Sequence, residues 1–169
     1  MGKRLVVFLS LCFWYATAAM ADTVTFTRHN IDTIHSGIGG VFSYDLDQDG
    51  DIDVLAGYSS TSDLFWYEND GSEIFTPHYI DLFTNCTFGI YACDLDLDGD
   101  IDVVSSSSST YGIAWYENDG GENFTEYSIS TTHYGARYID GADFNMDALP
   151  DLVVAGHYAS SSGLYWYQN

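Results

Sequence analysis

Beyond an apolar N-terminal segment, hydrophobic positions in this chain come in short runs separated by clusters of Gly, Asn, Asp and Ser. Residues 41–44, 52–57, 64–68 and 74–80 are the first four such runs. They are rich in Val, Ile, Tyr, Phe and Trp, and none shows the 3.6-residue period of an amphipathic helix, so each predicts a β-strand. A polar stretch, 59–63, predicts a hairpin between the second and third strands. Asn69-Asp70-Gly71 supplies the cheap positive φ of a tight turn between the third and fourth.

The four-strand pattern repeats. Asp45-Leu46-Asp47-Gln48-Asp49-Gly50-Asp51-Ile52-Asp53 returns as Asp94-Leu95-Asp96-Leu97-Asp98-Gly99-Asp100-Ile101-Asp102. It returns again, altered, as Asp143-Phe144-Asn145-Met146-Asp147-Ala148-Leu149-Pro150-Asp151, each start 49 residues after the last. Trp66-Tyr67-Glu68-Asn69 recurs at 115–118 and 166–169, the last interval being longer by two residues inserted around 158–162. A four-stranded unit at this period predicts an all-β, propeller-like fold of three blades, over about 33–80, 82–129, and 131–169 plus 22–31. The last assignment rests on Phe26-Thr27-Arg28-His29-Asn30-Ile31, which lies 49 residues before Phe75-Thr76-Pro77-His78-Tyr79-Ile80 and resembles it. The third repeat shows no such strand, so the N-terminal strand is expected to complete a blade and hide its edge. Three blades fall short of a ring. Either two chains form a six-bladed homodimer, or the sequence is part of a longer protein.

The first 21 residues read as a signal peptide: Lys3 and Arg4, an apolar core, then Ala19-Met20-Ala21 as a cleavage pattern. The apolar core is too short for the roughly 20 residues of a membrane span. The mature domain is therefore expected to be 22–169, exported to the extracellular space or periplasm. Only Arg28 and Arg137 then remain as cations against 25 acids. Such a surface excludes nucleic acid as a partner and attracts cations. Its high aromatic content, 17%, argues against disorder. Cys86 and Cys93 are either a disulfide or two buried thiols; export permits the first.

The acids concentrate where the chain turns. Asp45, Asp47 and Asp49, then Asp94, Asp96 and Asp98, alternate along tight loops whose Gly50 and Gly99 permit the bend. Alternate carboxylates in a loop converge, and Ca2+ is the hard cation that takes 6–8 such oxygens. Asp51 and Asp100 can add backbone carbonyls, and Asp53 and Asp102 can close the cage. An EF-hand is excluded: its twelfth-position Glu is Ala56, Ser105 or Val154 here. Two calcium sites are expected, with a third, weaker one where Asn145, Ala148 and Pro150 depart from the pattern.

These loops, the apolar strand after them, and the Trp-Tyr-Glu-Asn-Asp-Gly and Phe-Thr elements resemble the FG-GAP/VCBS repeats of integrin α-subunit propellers and secreted bacterial proteins. The resemblance covers nearly all of 22–169. It implies a calcium loop joining strands one and two of each blade. The implied ligands are Asp45, Asp47, Asp49, Asp51 and Asp53; Asp94, Asp96, Asp98, Asp100 and Asp102; and Asp143, Asn145, Asp147, the backbone of Leu149, and Asp151.

The opposite face would carry the connections 32–40, 81–89 and 130–138 and the Ser-rich hairpins, with His35, His133 and Arg137 among them. A protein or glycan ligand is expected there. No catalytic constellation stands out: the histidines lack metal spacing, and no nucleophile elbow is present. Glu68 and Glu117 read as turn stabilisers, and Trp66, Trp115 and Trp166 as packing between sheets. The sequence thus predicts a non-enzymatic, calcium-binding binding or adhesion module. A calcium-dependent lectin, or a non-catalytic fragment of a larger secreted enzyme or surface protein, is the alternative.

Overall fold

The computed structural model describes residues 24–82, 87–107, 112–133, 135–156 and 162–169. The expected signal peptide, Cys86 and parts of the second and third Ser-rich hairpins lie outside them. Eleven strands form three antiparallel sheets, and no helix is found among the described residues. The first sheet is β1 (Ile38–Tyr44), β2 (Asp53–Tyr58), β3 (Leu64–Asn69) and β4 (Phe75–Asp81), in that order. The second repeats it with β5 (Thr87–Cys93), β6 (Asp102–Ser107), β7 (Ile113–Asn118) and β8 (Phe124–Ser130). The third has β9 (Ala136–Ala142), β10 (Asp151–Gly156) and β11 (Gly163–Tyr167). None closes into a barrel.

Register is conserved across the repeats. Trp66 lies opposite Leu55 and His78, as Trp115 lies opposite Val104 and Tyr127. Because side chains alternate along a strand, each sheet has two apolar faces, and the sheets stack through them. Leu46, Leu55, Leu64 and Trp66 of the first unit meet Ile90, Ala92, Ile101, Val103 and Tyr116 of the second. Leu95, Val104 and Ile113 of the second meet Ile139, Leu152 and Val154 of the third. The innermost strands β1, β5 and β9 approach closely. A Cβ added at Gly40 would lie 1.9 Å from the Phe88 carbonyl oxygen, so only glycine fits there.

Each unit is also clasped to the connection that enters it. Tyr67 donates its hydroxyl proton to Asp32 at 2.9 Å, and Tyr116 donates to Asp81 at 3.3 Å. Asp32 is the most heavily bonded of these. It also accepts from Tyr58 at 2.9 Å and from the Ile34 backbone at 2.7 Å, and pairs with His35. Burial opposes its ionisation, but these donors outweigh burial and hold its carboxyl well below the usual range.

Two expectations are met only in part within a single chain. Residues 26–31 form no strand, and Val24 and Phe26 are exposed. The third sheet accordingly has three strands among the described residues, with β11 at its edge. The three tryptophans are also unequal. Trp66 is buried and stacks on His78, and Trp115 stacks on Tyr127, but Trp166 has no fourth strand beside it and is exposed.

Candidate metal centres

The three acidic loops lie at one end of the sheets, each joining a unit's first and second strands. They fold alike. The fourth residue of each, Gln48, Leu97 or Met146, has φ of 60–64°, and the sixth, Gly50, Gly99 or Ala148, is also left-handed. The sixth backbone amide donates back to the first aspartate in every loop: Gly50 to Asp45, Gly99 to Asp94, Ala148 to Asp143. The seventh donates to the fifth: Asp51 to Asp49, Asp100 to Asp98, Leu149 to Asp147. Alternate side chains are thereby turned inward.

In the first loop, one carboxylate oxygen each from Asp45, Asp47 and Asp49 lies within 4.8 Å of the others; Asp94, Asp96 and Asp98 do the same in the second. That separation is about twice a calcium–oxygen bond, so one ion reaches all three. Asp45 Oδ1 and Asp94 Oδ1 are buried and have no hydrogen-bond partner. An unpaired buried carboxylate oxygen is costly, and a cation is the partner that removes the cost. The residues therefore fit a hard divalent ion. Burial pushes the Asp47 carboxyl up, with Asp49, Glu68 and Asp45 adding repulsion. Asp96 is raised in the same way, by burial and by Asp98, Glu117 and Asp94.

The third loop differs. Both Asp143 oxygens are engaged, Oδ1 by the Asp147 amide at 3.1 Å and Oδ2 by the Ala148 amide at 2.9 Å. The Asn145 amide donates to Asp147 at 2.7 Å, replacing a repulsion with a hydrogen bond. This loop is self-satisfied where the others are not.

The structure separates two roles that look identical in sequence. Asp53, at position nine, is buried, and its two oxygens accept from the backbones of Leu46 and Asn69, both at 2.9 Å. Asp102 accepts from Leu95 and Asn118, and Asp151 from Phe144 and Asn169. These aspartates tie the loop to the end of the third strand, whatever else their remaining lone pairs can bind. Asp51 and Asp100 lean against the next turn. A Cβ at Gly71 would lie 2.4 Å from Asp51 Oδ2, and one at Gly120 2.5 Å from Asp100 Oδ2.

Glu68 and Glu117, expected to stabilise the turn, bond across the strands instead, Glu68 to His78 at 2.8 Å and Glu117 to Tyr127. Both also add negative charge to the loops. Strand alternation carried that signal, since Glu68 shares a face with Trp66. Among the described residues Cys93 has no disulfide partner, Cys86 lying outside them, and burial beside Asp102 and Asp94 pushes its thiol up to about 12.

Three sheets of repeated strands with an acidic loop at the same corner of each define an all-β repeat protein. The FG-GAP-like repeat matches residues 45–105 and again 94–154, in phase with the loops, and the chain belongs to that family. No curated protein matches the chain. Among the described residues, no helix is long and apolar enough to cross a membrane.

Proposed function

We propose that this chain is an exported, calcium-binding repeat module of β-propeller type that presents a protein or glycan ligand face away from its acidic loops. The observation that carries the reading is the pair of carboxylate triads, each with one buried oxygen left unpaired. Asp45, Asp47 and Asp49 would hold one ion and Asp94, Asp96 and Asp98 another. The carbonyls of Asp51 and Asp100, and lone pairs of Asp53 and Asp102, complete each oxygen set. Bound calcium supplies positive charge where the loops concentrate negative charge, which stabilises the folded state over the unfolded one. The third loop, with Asp143, Asn145, Asp147, Leu149 and Asp151, binds more weakly because its oxygens are already paired.

A groove of about 440 Å³ runs along the inner strands. Gly39, Gly40, Phe88, Arg137 and Tyr138 line it, and the Arg137 guanidinium lies 4.8 Å from the Phe88 ring centre. Arg137 Nε is buried without a hydrogen-bond partner. An aromatic wall beside a donor suits an acidic sugar, which favours the lectin reading as the second choice. Two of the described histidines serve packing, His78 stacking on Trp66 and His35 pairing with Asp32, which favours binding over catalysis.

Calcium titration by calorimetry, with the thermal melt followed in parallel, tests the proposal. At least two ions per chain and a melting temperature raised by calcium over chelator are expected. No heat and no shift would refute it. A glycan array read with and without chelator separates lectin from protein-binding module.

A further inference from the structure

The two ends of the sheet stack are the two halves of one interface. Within the chain, Leu64 and Ile113 occupy equivalent positions and are buried against the following unit. The third equivalent, Leu164, is 76% exposed, and Trp166 beside it is 54% exposed. Phe144 is exposed where Leu46 and Leu95 are covered. The opposite end mirrors this. Ile90 and Ile139 are buried against the preceding unit, whereas their equivalent Val41 is 64% exposed. Ile101 is buried and its equivalent Ile52 is 55% exposed.

One end thus bares the face that the other units bury against a following unit, and the other end bares the face buried against a preceding one, while the contact that would join them is already made twice inside the chain. The N-terminal segment points the same way. Asp32 bonds Tyr67 of the first sheet as Asp81, the last residue of β4, bonds Tyr116 of the second. The residues before Asp32 therefore stand where the fourth strand of a preceding unit belongs. Transferred from β3 and β4, the register sets His29 opposite Trp166 and Phe26 opposite Asn169. His78 and Tyr127, the equivalents of His29, stack on their tryptophans. β11 offers a bare edge for such pairing.

We propose that a second copy of this chain docks head to tail on these faces, each copy's residues 26–31 adding to β11 of the other as its fourth strand. Head-to-tail contacts close into a ring or propagate. Two copies of the three described units bring six, within the 4–8 that propeller rings accommodate, whereas three copies bring nine. The ring therefore closes at two. The inference rests on packing and strand register, independently of metal.

Light scattering on the full chain in calcium buffer should give twice the chain mass, constant with concentration. Trp166→Asp and Val41→Asp should each halve it, with circular dichroism unchanged, since both residues are exposed within one chain. Mixing the two variants should restore a two-chain species, because one of its two contacts is then intact. Under oxidation, His29→Cys with Trp166→Cys should give a disulfide between chains. A wild-type monomer, including one whose faces other sequence or another protein covers, would overturn the proposal. So would a mass above two chains, no recovery on mixing, or a disulfide within one chain.

Discussion

Replacing Asp102 with alanine separates the anchor aspartates from the cage aspartates. Asp102 is 1% exposed, and its carboxylate takes the backbone amides of Leu95 at 3.1 Å and Asn118 at 2.9 Å. Asp102→Ala leaves both amides unpaired. Each unsatisfied buried donor costs about 1–3 kcal/mol, so a loss of about 3 kcal/mol or more is expected. For a chain of this size, 1 kcal/mol moves the melting temperature by about 2–4 °C, which makes the shift about 10 °C. The comparison is Asp98→Ala. Asp98 is exposed and lies in the carboxylate triad, although its Oδ1 does accept the Asp100 amide. Thermal melts in chelator should show Asp102→Ala falling by about 10 °C, with Asp98→Ala within a few degrees of wild type. In calcium both variants should fall below wild type. Equal melting temperatures for the two variants in chelator would refute the division of roles.

Asp32→Ala strips Tyr58 and Tyr67 of their shared acceptor and should cost about 2–3 kcal/mol in denaturant titrations near neutrality. Because the Asp32 carboxyl is held low, its stabilisation is complete above the ordinary value of 3.8 and lost as pH falls beneath it, so the difference from wild type should shrink in acid. Leu46→Ala should cost about 2–5 kcal/mol, whereas Phe144→Ala at the equivalent exposed position should cost under about 1 kcal/mol in a monomeric background, both by urea unfolding. Cys93, its thiol pushed up to about 12, should resist iodoacetamide at neutral pH until the chain is unfolded, as read by peptide mass spectrometry.

Much of this structure is legible in the residues because the repeat reports itself three times. The run 52–57 and the observed β2 differ by one residue at each end, and the turn at Asn69-Asp70-Gly71 falls between β3 and β4 as read. The convergence of Asp45, Asp47 and Asp49 follows from alternation in a tight loop. The role of Asp53 does not, since an aspartate that binds backbone amides and one that faces a neighbouring carboxylate occupy the same alternating pattern. The contrast between the first and third loops is likewise conformational. Asp45 keeps an unpaired oxygen where Asp143 gains the Asp147 amide. Residues 26–31 carry the side-chain pattern of β4 yet form no strand, because pairing depends on an edge that local sequence does not encode.

A crystal structure of the calcium-loaded protein, phased on anomalous scattering, shows whether the two aspartate triads hold ions. One ion should sit about 2.3–2.6 Å from an oxygen of each of Asp45, Asp47 and Asp49, touching Oδ1 of Asp45, with a second ion placed the same way among Asp94, Asp96 and Asp98. Triads that stay free of anomalous density at saturating calcium would mean that these aspartates do not form calcium sites.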